Sequence, residues 1–174
     1  MIIKMYYSTY PTPLGLITLA CCDDNLTGLW LEGQKYFGNT MPETPTQKDN
    51  VPVFAATKKW LNKYFAGKKP AIEELPLAPI GGEFRQEVWD ILCKIPYGKV
   101  ITYGDIARKI AANRHKKSMS SQAVGGAVGH NPISIIIPCH RVIGSNGSLT
   151  GYAGGIDAKK KLLELEGVDM SIIT

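Results

Sequence analysis

No apolar stretch in this chain approaches the roughly 18 residues that a helix needs to cross a bilayer, so a membrane-spanning role is not expected. The N-terminus lacks a basic flank followed by a long apolar core, and no secretory leader is expected either. Cysteines are few: Cys21 and Cys22 are adjacent, while Cys93 and Cys139 stand alone. That spacing is no disulfide framework and fits a reducing, cytoplasmic setting. His115, His130 and His140 are the only histidines, and neither they nor Cys139, which has no CxxC partner, make a zinc spacing; no metal is expected. Internal repeats and low-complexity tracts are absent.

What remains is an ordinary globular composition, 44% hydrophobic and 20% charged over 174 residues, enough chain to bury a core. The pattern divides near Pro79 to Gly82, giving an N-terminal part over 1–79 and a C-terminal part over 80–174. Before that point Ile2 to Tyr10, Leu14 to Cys21 and Leu26 to Leu31 read as short strands of an antiparallel sheet, with turns at Thr12-Pro13-Leu14-Gly15 and Asp23-Asp24-Asn25. Gly33 to Asn50 reads as a surface loop, followed by a helix at about Val51 to Phe65 that Gly67 ends. Pro70 to Pro79, with three prolines, reads as a linker. The fold class is therefore mixed α/β, of the α+β kind, with a mainly helical C-terminal part.

In that C-terminal part Phe84, Val88, Trp89, Ile91, Leu92 and Ile95 recur at helical spacing, and Pro96-Tyr97-Gly98 ends the helix. Thr102 and Asp105 fit a capping box, so a second helix is expected from there to about Ala112. The net charge of +5 is modest, but Arg108, Lys109, Arg114, His115, Lys116 and Lys117 concentrate basic groups with no acid among them. They fit phosphate binding or a solvated loop equally well. A third helix over Ser120 to Gly129 carries Ala123, Gly125, Gly126, Ala127 and Gly129, whose small side chains permit close approach to another backbone. Helix, basic connection and small-residue helix make a helix-turn-helix arrangement, which alone is a weak sign of DNA binding.

The chemistry concentrates further on. The apolar run Ile133 to Ile137 reads as a buried strand ended by Pro138, which presents Cys139 on a rigid turn beside His140 and Arg141. Cationic neighbours lower a thiol pKa, and these two side chains could supply that field. A nucleophile and a buried structural cysteine both remain compatible with this pattern.

The landmarks Ala123-Val124-Gly125-Gly126-Ala127, Asn131-Pro132, Ile137-Pro138-Cys139-His140-Arg141-Val142, Gly151-Tyr152-Ala153-Gly154-Gly155 and Leu162-Leu163-Glu164-Leu165-Glu166-Gly167 closely resemble the methylated-DNA-protein-cysteine methyltransferases, or O6-alkylguanine-DNA alkyltransferases. The resemblance covers about residues 80 to 168. It implies a stoichiometric, irreversible DNA repair protein that needs no cofactor, acts as a monomer on double-stranded DNA, and flips O6-alkylguanine into a pocket. It makes Cys139 the alkyl acceptor, His140 a base acting through a water, Glu166 the group that orients His140, Tyr103 a donor to the flipped base, and Asn131 the residue that holds the active-site turn. Val142, Tyr152, Ala153 and Gly154 would line the guanine pocket. Ala123, Gly125, Gly126, Arg114, Lys116, Lys117 and Arg141 would face DNA.

One position departs from the family pattern. Gln122 stands where an arginine usually enters the duplex, and glutamine lacks both the charge and the stacking plane of a guanidinium. Weaker binding or slower flipping is expected. The alternatives are a lesion-binding protein of the alkyltransferase-like kind, which lacks the cysteine, and a thiol hydrolase, for which no oxyanion loop is evident. Cys21 and Cys22 suggest the zinc site of some relatives, but the histidines it needs are missing from the N-terminal part.

Overall fold

The computed structural model describes residues 4–174, so Ile2 and Ile3 of the expected first strand lie outside the described residues. The chain forms two compact units, one running to Ile80 and including Pro132–Ile136, the other Gly81–Asn131 with Ile137–Thr174.

In the first unit β1 (Met5–Thr12), β2 (Gly15–Cys22) and β3 (Asn25–Leu31) form an antiparallel meander. Asp23 and Asp24 both take positive φ, 49° and 60°, as a two-residue hairpin turn matched to strand twist requires. A short β4 (Thr46–Gln47), inside the stretch expected to be loop, pairs parallel to β1, so the sheet is mixed with order β3-β2-β1-β4. The first helix, α1 (Pro52–Phe65), starts with proline, whose missing N–H is harmless in a first turn, and Asp24 Oδ1 accepts from Val53 N at 2.9 Å. Its Val53, Phe54, Trp60, Leu61 and Tyr64 are buried. Each such side chain contributes about 1.5–3 kcal/mol by leaving water.

Two segments differ from their sequence reading. Pro70 to Pro79 is not a free linker: Trp60 Nε1 donates to Ala71 O at 2.8 Å, and Leu77 bridges Leu26 in parallel. The run Ile133 to Ile137 is not a strand. Only Ile133 pairs, in an isolated bridge to Leu29, and the rest is buried turn. Ile135 takes φ 71° and Ile136 N donates to Ser134 O at 2.8 Å, a three-residue γ-turn that is strained for a β-branched residue. Apolarity here reports burial, and without a longer partner edge it does not give extended pairing.

The second unit opens with α2 (Glu83–Cys93), whose Val88, Trp89, Ile91 and Leu92 are buried. After it come β5 (Ile101–Thr102) and α3 (Tyr103–Asn113). The Thr102 hydroxyl accepts from Asp105 N at 3.0 Å and Asp105 Oδ2 accepts from Thr102 N at 2.9 Å, completing the capping box. The next helix, α4 (Ser121–Gly129), is capped by Ser120 Oγ, which accepts from Ala123 N. Trp89 Nε1 donates to Ala127 O at 2.9 Å, tying α2 to α4 through a close approach that the small residues of α4 allow. Finally β6 (Val142–Ile143) pairs parallel with β5, and α5 (Ile156–Leu165) ends at Glu166. Among the described residues no helix is long and apolar enough to cross a membrane.

Candidate active site

Cys139 begins a single 3-10 turn that runs to Arg141. Pro138 sits at φ −83°, ψ 64°, and Cys139 N donates back to Ile137 O at 2.8 Å, an inverse γ-turn that a ring-locked proline favours. Asn131 Nδ2 donates to the same Ile137 carbonyl, also at 2.8 Å, so the end of α4 is tied to the turn that carries the thiol. Both bonds converge on the carbonyl just before Cys139 and fix the entry to the turn.

The next two side chains converge on one carboxylate. Glu166 Oε2 accepts from His140 Nε2 at 2.6 Å and from Arg141 Nη2 at 3.0 Å; Oε1 accepts from Arg141 Nε at 2.7 Å and from Gly98 N at 3.0 Å. Gly98 takes φ 78°, and a Cβ there would stand 3.0 Å from Glu166 O, so the amide reaches the carboxylate only because the residue is glycine. Arg141 Nη1 also donates to Ile95 O at 2.7 Å. Burial pushes the Glu166 carboxyl up, but the hydrogen bonds from His140 and Arg141 outweigh it and hold Glu166 well below the usual carboxylate range. Burial pushes His140 down, more than Glu166 raises it, so the ring is neutral at neutral pH. A neutral ring that donates Nε2–H to Glu166 keeps its lone pair on Nδ1 and is a base there.

Burial also pushes the Cys139 thiol up, more than the Asn131 hydrogen bond and the charge of Lys159 pull it down. The resting group is therefore a thiol that needs a base. Contrary to the sequence reading, the cationic field does not come from His140, which is neutral, or from Arg141, whose charge Glu166 balances. It comes from Lys159 on α5, fully buried, whose Nζ donates to Val142 O at 2.6 Å.

Tyr103, at the start of α3, completes this group. Its hydroxyl donates to Thr150 O at 3.0 Å, and burial and the neighbouring Cys139 push its pKa up to about 12, so it stays a donor. Among the expected pocket residues Val142 and Tyr152 are buried, while Ala153 and Gly154 are half-buried in the segment that leads into α5.

The helix-turn-helix expectation has mixed outcomes. Gln122, Ala123 and Gly126 are exposed on the first turns of α4, and Gly125 is half-buried with Tyr103 4.0 Å from where a Cβ would lie. Lys116 and Lys117 are exposed and, with Arg108 and Ser121, line a cleft between α3 and α4. Two expected DNA-facing residues are engaged within the protein. Arg141 is buried in the Glu166 network and is not available to DNA, while Arg114 is half-buried and pairs with Glu87, at 2.6 and 3.0 Å, over the Phe84 ring. Neither partner lies near in sequence, which is why a basic run misleads. Lys159 and Gly98 escaped the sequence reading; nothing local distinguishes a lysine in the run 159–161, and only its period on α5 with buried Leu162 and Leu163 marks the inward face.

The DNA-binding domain of the 6-O-methylguanine DNA methyltransferases matches residues 83–168, and the ribonuclease-like domain of the same proteins matches residues 5–79. The chain belongs to the methylated-DNA-protein-cysteine methyltransferase family. A family member from Haemophilus influenzae is 41% identical over 94% of this chain and 87% of its own length. One from Methanosarcina acetivorans is 43% identical over 94% of this chain and 99% of its own. Among solved structures, the Mycobacterium tuberculosis OGT in complex with DNA superposes with a TM-score of 0.81 at 41% identity, covering 97% of this chain and 94% of that one. In this methyltransferase, as in the family pattern that its motifs resemble, a cysteine stands beside a histidine held by a distant glutamate. Among the described residues no group of three or more His, Cys, Asp or Glu side chains could hold a metal ion.

Proposed function

We infer that this protein repairs alkylated double-stranded DNA by direct reversal, moving the methyl or other alkyl group from O6 of guanine to Cys139 Sγ in one irreversible turnover. The observation that carries this reading is the polarised pair His140 and Glu166 beside a buried thiol. A neutral imidazole with its basic nitrogen at Nδ1 is the form that can take a proton from a neighbouring S–H, directly or through a water.

The steps follow from these residues. Cys139 gives its proton to His140, and Glu166 stabilises the imidazolium that results, as the orienting carboxylate does in hydrolytic triads. The thiolate attacks the alkyl carbon in line with the C–O6 bond; the S–C bond forms as the C–O6 bond breaks. Guanine leaves with the electron pair and takes up one proton, so the thiol proton ends on the base. Tyr103, a neutral phenol, hydrogen-bonds the departing base. The product is a thioether, which no group here can hydrolyse, so each molecule acts once and needs no cofactor.

Delivery of the base falls to the helix-turn-helix. Lys116, Lys117 and Arg108 suit backbone phosphates, and Gln122 occupies the exposed first turn of α4, where a side chain can fill the gap that a flipped nucleotide leaves. A thiol that must remain reduced and a DNA substrate together suit a cytoplasmic site of action, with the protein working as a monomer. The test is loss of O6-methylguanine from a defined duplex on mixing with stoichiometric protein. Wild type should remove it and Cys139→Ser should not; equal loss with both would overturn the assignment.

A further inference from the structure

Residues 169–174, which the alkyl-transfer steps leave unused, are tied to one turn of the second unit. Asp169 starts a single 3-10 turn, Met170–Ile172, by accepting from Ser171 N at 3.0 Å and from Ser171 Oγ at 2.6 Å. Beyond it Thr174 N donates to Gly147 O at 3.0 Å, and Thr174 Oγ1 donates to Asn146 O at 3.4 Å. Gly147 sits in a tight turn in which Gly144 N donates to Ser148 O at 2.8 Å and Gly147 N to Gly144 O at 2.9 Å. It takes φ 84°, and a Cβ there would stand 2.3 Å from Ile172 O. Only glycine lets the two backbones meet so closely. Apolar packing closes the same contact, because Met170 and Ile173 lie against a buried cluster of Ile143, Leu149, Leu163 and Val168.

We propose that Gly147 and Ile173 are positioning residues for the guanine pocket. Residues 169–174 strap the 144–148 turn to α5 and so hold Leu149, Thr150 and Tyr152 in the arrangement that receives the flipped base. This rests on the reading of Cys139 as alkyl acceptor and of Tyr152 as a pocket wall.

The path from strap to pocket is short. Leu149, inside the apolar cluster, precedes Thr150, whose carbonyl accepts from the Tyr103 hydroxyl at 3.0 Å, and Tyr152 lies two residues further on. The segment 144–154 needs such a tie, because Gly144, Gly147, Gly151 and Gly154 all fall within it and glycine loses more backbone freedom on ordering than any other residue. A pocket whose wall is in place for only part of the time binds its ligand more weakly by that fraction. The Cys139 turn is held by different groups, Asn131 and the Glu166 network. Loosening the strap therefore weakens reception of the base and leaves the thiol chemistry intact.

The experiment compares wild type with Gly147→Ala, Ile173→Ser, Ile173→Val and Gly33→Ala. Gly33 has φ 78° and open space where a Cβ would lie, so its alanine carries similar backbone strain without a collision. Single-turnover transfer from free O6-benzylguanine is followed against ligand concentration. In Gly147→Ala and Ile173→Ser the half-saturating concentration should rise about tenfold while the limiting rate stays within about twofold, as when the competent pocket falls to about a tenth of the molecules. Ile173→Val and Gly33→Ala should behave as wild type, and iodoacetamide should label Cys139 at the wild-type rate in every variant. Unchanged half-saturation in both strap variants, an equal rise in Gly33→Ala, or a loss confined to the limiting rate overturns the proposal. Amide hydrogen exchange over residues 144–154 gives a readout that needs no transfer. It should quicken in both strap variants, and unchanged exchange also overturns the proposal. A wild type that never takes an alkyl group from benzylguanine or DNA would sink the functional reading, while the exchange comparison would still decide whether the strap orders this segment.

Discussion

Replacing Glu166 with glutamine keeps the shape of the side chain and removes its charge, which makes it a sharp probe of the network. The carboxylate accepts from His140 once, from Arg141 twice and from Gly98 N. Glutamine offers one accepting oxygen and an NH2 that must face donors, so about half of these bonds are lost and Arg141 stays buried without a counter-charge. Removing one partner of a buried ion pair costs about 3–5 kcal/mol. In a protein of this size each kcal/mol lowers Tm by about 2–4 °C, so a fall of about 6–20 °C is expected. Transfer should suffer separately. An amide that donates to Nε2 turns the ring over to the Nδ1–H tautomer and removes the base, which typically accounts for about 10²–10⁴ in rate. Thermal unfolding by circular dichroism gives the first quantity, and quenched single-turnover methyl transfer at a temperature where the variant is folded gives the second. A Tm within about 2 °C of wild type together with a rate within about threefold would refute the reasoning, because both figures lie below the smallest expected effects.

Other outcomes follow from the same geometry. Gln122→Arg should tighten binding to methylated duplex or quicken transfer, measured by salt-dependent anisotropy and single-turnover rate; no gain in either would sink the idea that delivery of the base limits this protein. Tyr103→Phe removes one neutral donor, so stability should change by at most about 1.5 kcal/mol while transfer falls measurably, and an unchanged rate would exclude the hydroxyl from the reaction. Stability should decline as pH falls below about 6.5, because unfolded His140 takes up a proton that the buried ring, shifted down, refuses. Glu166, also shifted down, stabilises the fold above its unfolded pKa and should add a further loss below about pH 4. Urea titrations from pH 8 to 3.5 would show both losses in wild type, and the upper one should vanish in His140→Gln.

Local chemistry was legible in the sequence where it acts over short range. Thr102 and Asp105 are three residues apart, and their reciprocal bonds need no tertiary partner. Helix α2 likewise announces itself by the spacing of Val88, Trp89 and Leu92, and Gly67 marks the end of α1. The site was legible through its motifs, since Cys139, His140 and the distant Glu166 keep their family order. What escaped depends on partners far along the chain. Arg141 reads as a DNA contact until Glu166, 25 residues on, is seen to hold it. Arg114 is taken by Glu87, 27 residues back. Ile133 to Ile137 has the composition of a strand, but pairing is limited to one bridge at Leu29 and the remainder curls through strained Ile135. Lys159 was invisible because burial of one lysine among three is decided by how α5 lies against β6.

The central claim is that Cys139 is consumed as the alkyl acceptor. Its most direct test is peptide-mapped mass spectrometry after titrating the protein with duplex DNA containing O6-methylguanine. One added methyl group per molecule, carried on the peptide with Cys139 and saturating at one equivalent of lesion, is the predicted result. Tight binding of the lesion with no added mass, or a methyl group on any other residue, would contradict it.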